Sequence, residues 1–212
     1  MPQITPLFPL PNVLLYPGAI LPLHIFEPRY LDMVAAFESS KSRLIVIGLL
    51  EGNWQSDYFE QPRVHPIAGL GEIAHISGHD GPRRNILVRG LSKVRISEEV
   101  EGDQAWRRVT YELLQETPLQ AEAEATLRHQ LHLGLEQFAG DDAVLDPKAS
   151  TAWMVDMLLI ALPIPMEQKY RLFSNLDIQE RAHGVLQLLE ENSRNQMEFS
   201  VAASQGDSAA WN

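Results

Sequence analysis

The sequence predicts an α+β fold, a β-rich first half followed by a bundle of helices. Two observations carry this. Residues 4–114 are built of short apolar runs punctuated by Pro and Gly, the pattern of strands and tight turns. From residue 118 the chain becomes rich in Ala, Leu, Glu and Gln, all good helix formers. The expected layout is a β domain of about six strands with one short helix over 1–116, a bundle of about four helices over 117–194, and a flexible polar tail over 195–212.

The opening is the least ordinary part. LFPLPNVLLYPGAILPLHIFEPRY, residues 7–30, is long and apolar enough to suggest a membrane span, yet it holds five prolines. Each interior proline costs a helix about 3 kcal/mol, so no helix fits. ITPLFPL reads as a short strand with prolines, suited to a sheet edge or a strand end. Tyr16-Pro17-Gly18 reads as a tight turn. AILPLHIF is a second strand, apolar on both faces and therefore expected to be covered on both. Pro28 opens a helix carrying Tyr30, Leu31, Val34 and Phe37, and Ser39-Ser40 ends it.

LIVIGLL, residues 44–50, reads as a buried strand, and residues 51–63 as a long loop. VHPIAGLGEIAHISG is a strand bent at its glycines, and HDGPRR is a turn. NILVRGLSKVRISEEV is a strand pair or one long bulged strand kinked at Gly90, and WRRVTYELL is a further strand. Together these suggest a short-loop meander. In the second half Leu127, Leu131 and Leu135 form an apolar stripe with Ala123 and Phe138. Asp146-Pro147 is expected to open a helix running through Trp153, Met157 and Ile160. MEQKYRLF forms a short helix, and Asp177-x-x-Glu180 a capping box for the last one, with Val185, Leu186 and Leu189 on its inner face.

Composition narrows the chemistry. The chain has no cysteine, which excludes disulfides and thiol catalysis and fits a reducing cytoplasm. A net charge of −11 disfavours generic nucleic-acid binding. Residues 1–20 contain no Lys or Arg, so no signal peptide is expected. Phosphate-loop, zincin and nucleophile-elbow motifs are missing. Gly69-Leu70-Gly71-Glu72-Ile73-Ala74 fits a dinucleotide fingerprint only nominally, because it lies inside a strand. His75 and His79 flank a turn, and His129 and His132 suit a solvated helix face. Neither pair reads as a metal site, and Asp141, Asp142 and Asp146 lack the pattern of a calcium loop. No cofactor is expected. A hydrolase built on His24 or His75 has no nucleophile–base spacing to support it.

The spaced motifs resemble one family. Pro6-Leu7-Phe8-Pro9-Leu10, Pro17-Gly18 and Leu21-Pro22-Leu23, followed by GLGEIAHI and ILVRGLSKVRI, are similar to the opening of the N-terminal substrate-recognition domain of the ATP-dependent Lon protease. On this resemblance Phe8, Pro9, Leu10, Pro17, Gly18, Pro22, Leu23, Gly71 and Gly90 are structural motif positions. The resemblance implies a β pseudobarrel related to PUA-like barrels, followed by a helical bundle. It also implies recognition of unfolded or tagged polypeptide, or of a dedicated protein partner, without ATPase or protease parts. The expected role is a non-catalytic adaptor or regulator in the cytoplasm. Tyr16, Trp54, Tyr58 and Phe59 are candidate peptide contacts, since aromatics anchor interfaces, with an exposed strand edge as a pairing site. The alternative is an RNA-binding PUA-like module using Arg83, Arg84, Lys93, Arg95, Arg107 and Arg108.

Overall fold

The computed structural model describes residues 3–40, 42–56, 61–78, 83–139 and 148–206, without side chains at 56, 137–139 and 195–206. It divides into two compact units, 1–115 and 116–212.

The first unit holds six strands: β1 (Thr5–Leu10), β2 (Ile20–Ile25), β3 (Leu44–Leu49), β4 (Ile67–Ser77), β5 (Arg84–Glu99) and β6 (Arg108–Leu113). Helix α1 (Pro28–Glu38) joins β2 to β3, and a 3-10 turn, Trp54–Ser56, lies between β3 and β4. The sheet order is β2-β5-β4-β3-β1-β6, and β6 also pairs with β5. Five strands therefore close into a ring, and β2 stands on the edge of β5 ahead of β6.

This is not the meander the sequence suggested. β1 and β3 pair in parallel, and parallel neighbours need a crossover, here supplied by β2 and α1. β6 pairs with the start of β1 at Thr5 and Pro6, so only the second half of β1 is left as an edge. β5 is one long strand rather than two. Its register against β4 slips between Leu70 and Gly71, opposite Gly90 and Ser92. Its first half pairs with β2 and its second half with β6.

Two apolar clusters stabilise the unit. One joins Phe8, Leu15, Ile25, Ile45, Ile47, Ile73, Ile86 and Val88 to Tyr30, Met33, Val34 and Phe37 of α1. The other joins Leu7, Val46, Ala68, Leu70, Val94 and Val109. The residues before β2 lie directly on the sheet. A Cβ on Gly69 would stand 2.2 Å from the Leu15 carbonyl oxygen, and one on Gly90 2.0 Å from that of Tyr16. Only glycine lets backbone approach this closely. Gly18 then takes φ 79° and the Ala19 N–H donates to the Tyr16 carbonyl, a Pro-Gly reverse turn that starts β2.

The second unit contains α2 (Ala121–Ala139), α3 (Thr151–Ala161), α4 (Met166–Phe173) and α5 (Ile178–Gly206). Leu127 and Leu131 are buried as their spacing predicts. α3 begins at Thr151, its N-cap Ser150 accepting from the Trp153 N–H; Asp146 and Pro147, expected to open it, lie outside the described residues. α3 turns one face inward. Met154, Val155, Asp156, Leu158 and Leu159 point inward while Ile160 is exposed. The helix is apolar nearly all round, so periodicity could not choose its face. Asp177 Oδ1 accepts from the Glu180 N–H, half of the expected capping box. α5 continues to Gly206, into the segment expected to be a flexible tail.

Arg181 is fully buried. Its guanidinium lies 2.7 Å from Glu116 and 3.2 Å from Asp156, and it donates to the Asn175 carbonyl. Removing one partner of such a group leaves an uncompensated buried charge.

Three outcomes follow from this geometry. Gly90→Ala should lower unfolding free energy by about 2–3 kcal/mol in urea titration, because backbone rather than a movable side chain blocks the new methyl. Gly52→Ala, with φ 66° but open space around it, should cost only about 1 kcal/mol. In the helical unit Asp156→Leu and Arg181→Met should each destabilise by about 3–5 kcal/mol, and the double variant by less than either.

Candidate functional site

Sequence patterning placed β2 under cover on both faces. Instead it is an edge strand whose exposure alternates along its length. Leu21, Leu23 and Ile25 turn inward, while Ile20, Pro22, His24 and Phe26 face solvent. Ile20 is 55% exposed and Phe26 62%. The registers set three rows across this outer face: Ile20–Arg89–Glu72, Pro22–Leu87–His75 and His24–Asn85–Ser77. Leu87 and Leu91 of β5 are also exposed. The result is a strip of exposed apolar side chains, Ile20, Pro22, Leu87 and Phe26, set among the polar members of those rows, where Arg89 and Glu72 neutralise each other at 2.7 Å.

The free edge of β2 has a specific chemistry. Gly90 N–H donates to the Ala19 carbonyl. Bonded residues alternate along an antiparallel pair, so Leu21 and Leu23 aim their backbones at β5 and Pro22 aims its nitrogen outward. Leu7 N–H, on β1, reaches the Arg107 carbonyl, so the same alternation turns the Pro9 nitrogen away from β3. Both prolines thus place a missing donor on strand edges that no other strand covers among the described residues. Where the ends of β1 and β2 meet lies a notch of about 120 Å³, lined by Phe8, Pro9, Leu10, Leu23, His24, Ile25, Phe26, Glu27 and Tyr30. It is mainly apolar and sized for one large side chain. The interrupted edges suit capture by side-chain contact better than strand addition.

The residues singled out in the sequence fare unevenly. Tyr16 is only 2% exposed, packed under its own turn, and offers no surface contact. Trp54 is half-buried in the 3-10 turn. Tyr58 and Phe59 lie outside the described residues. Phe8 and Pro9 are buried and line the notch with Leu10 and Leu23. Pro17 and Gly18 make the turn, and Gly71 and Gly90 lie beneath Leu15 and Tyr16.

The basic set does not form a surface. Lys93 is 1% exposed, so phosphate cannot reach it. Arg107 pairs with Glu99 and donates to the Pro62 carbonyl. Arg108 donates to the Glu101 carbonyl, and Arg84 to those of Gly78 and Arg83. Arg83 and Arg95 are exposed, but Arg84 and Arg95 stand eleven positions apart on β5, roughly 36 Å at 3.3 Å per residue. A larger groove of about 1030 Å³ beside Trp106 and residues 99–108 is lined mostly by polar groups, with three of its arginines already engaged by their neighbours. Among the described residues no cluster of ligating side chains could hold a metal, and no helix is long and apolar enough to cross a membrane.

The sequence profile of the ATP-dependent protease La (LON) substrate-binding domain matches residues 4–191. The chain belongs to this family. Lon protease 2 of Myxococcus xanthus is 22% identical over 202 residues, covering 89% of this chain and 24% of that protein. The Lon protease of Koribacter versatilis is 25% identical over 197 residues, covering 87% and 23%. The chain therefore spans about a quarter of the length of these relatives. Solved structures give the same fold. The N-terminal domain of Mycobacterium avium complex Lon protease superposes with TM-score 0.69 at 17% identity, covering 89% of this chain and 98% of that one. A Lon N-terminal domain protein from Xanthomonas campestris gives 0.64 at 23% identity, covering 87% and 97%.

Because these side chains are already exposed, Ile20→Ser, Phe26→Ser and Leu87→Ser should each change stability by no more than about 0.5 kcal/mol. The triple variant should lose most of the anilinonaphthalene sulfonate fluorescence of the native protein.

Proposed function

We propose that this chain is a non-catalytic polypeptide-recognition module that acts as an adaptor or regulator. It binds unfolded segments on the outer face of β2 and β5. The observation that carries this is the apolar strip of Ile20, Pro22, Phe26 and Leu87, left exposed beside an apolar notch in a domain of the Lon substrate-binding family. Exposed apolar side chains grouped on one face, rather than scattered singly, mark interaction sites.

Extended apolar segments suit this surface. An unfolded chain can lay alternate side chains along the strip and seat one in the notch over Phe8 and Tyr30. The two outward-facing prolines deny it a continuous hydrogen-bonded edge, so sequence-tolerant apolar contact supplies the affinity. Weak binding with fast release follows, which is what a module that hands clients onward requires.

Binding of a reduced, permanently unfolded model protein tests this by fluorescence anisotropy. Phe26→Ser combined with Leu87→Ser should weaken the complex at least tenfold, whereas Trp54→Ala should change it little. Affinity should hold or rise between 50 and 500 mM salt, unlike a phosphate-driven complex. Unchanged affinity in the double variant removes the site, and steep loss with salt removes the apolar mechanism.

A further inference from the structure

Two imidazoles lie in the apolar strip, and the binding reading does not use them. His24 and His75 are both exposed on the outer face, His24 in the row of Asn85 and His75 in the row of Pro22 and Leu87. His24 also lines the notch, beside Phe26. Its Nδ1–H donates to Asn85 Oδ1 at 2.6 Å. That bond survives protonation, because the donor keeps its hydrogen. What changes is charge: a neutral ring becomes a cation on a surface that works by excluding water.

Building on the proposed function, we propose that His24 and His75 make polypeptide capture pH-dependent. The face takes apolar segments while both rings are neutral and releases them when they are protonated. Histidine is the side chain whose ordinary titration falls between pH 5 and 8. Covering a cationic ring with an apolar segment removes its hydration without supplying a partner.

The described surroundings do not offset this effect: Arg43 and Arg83, both exposed, are cations, and Asp80 lies outside the described residues. On β5 the neighbours are Asn85 and Leu87, neither of which carries charge, and on β4 Ser77. Arg89 and Glu72 are paired with each other one row away. Arg84 turns to the carbonyls of Gly78 and Arg83. Around the notch, at the start of α1, Glu27 is held by Arg29 at 2.9 Å, and Tyr30 is buried. Among the described residues, then, no uncommitted carboxylate faces either ring.

The sign follows from linkage. Binding disfavours the protonated rings, so a bound segment lowers their proton affinity, and protons in turn weaken the bound state. Affinity is full above the ordinary imidazole range and falls as pH drops through it.

The test is calorimetric titration with a capped, unstructured peptide of Leu, Ile, Thr and Ser, at pH 7.5 and 5.5 and constant ionic strength. The peptide has no titrating group, so any pH effect belongs to the protein. Wild type should bind roughly five- to twentyfold more weakly at pH 5.5, and His24→Gln with His75→Gln should bind equally at both. Circular dichroism at each pH confirms the fold. As a second readout, the imidazole resonances of His24 and His75 should titrate at lower pH when peptide is bound. Binding that does not depend on pH, or a fall that persists in the double variant, overturns the gate and leaves the binding face standing. No binding at either pH overturns both.

Discussion

The first unit depends on one close approach, the backbone of Leu15 and Tyr16 resting on Gly69 and Gly90. A methyl group at either glycine would meet a carbonyl oxygen well inside contact distance. Because the approach is allowed, the chain can cross the sheet, turn at Pro17-Gly18 and lay β2 along the first half of β5. The second half of β5 is left for β6. The same geometry buries Tyr16 and exposes the outer side chains of β2, so the candidate site is a consequence of how that segment is seated.

Proline completes the arrangement. A ring that closed through β1 and β2 would leave neither an edge nor a notch. Pro9 and Pro22 remove donors on the two edges where such closure would occur, and the notch beside Phe8, Leu23 and Phe26 remains. The apolar surface that results is set against a net charge of −11, and a net charge far from zero opposes self-association. In the helical unit the polar constraint is the buried Arg181 with Glu116 and Asp156.

Much of the architecture was legible because it is written in local chemistry. The Pro28 helix start, the Pro17-Gly18 turn and the Asp177 cap rest on contacts within a few residues, and Gly90 marked the irregularity of the long β5 strand. The spaced motifs of the opening also pointed to the family that residues 4–191 match. The pairing order was not legible, since the parallel β1–β3 pair joins residues far apart in sequence. Periodicity could not orient α3, which is apolar on nearly every face. The site was misread for a related reason. ILPLHIF is apolar on both faces, and that pattern serves equally for a strand covered twice or for one that offers a face to a partner. Pro22 was the available signal, because a mid-strand proline belongs at an edge. Tyr16 and Lys93 failed as contacts because tertiary packing buries both.

The central claim is that the outer face of β2 and β5 is where polypeptide binds. Methyl-resolved NMR titration with an unfolded chain reads this directly. The account predicts that shifts concentrate at Ile20, Leu87 and Leu91 and spare Leu113 and Leu133, which are comparably exposed elsewhere. Shifts that spread evenly over all exposed methyls, or that gather at Val100 beside the polar groove, would contradict it.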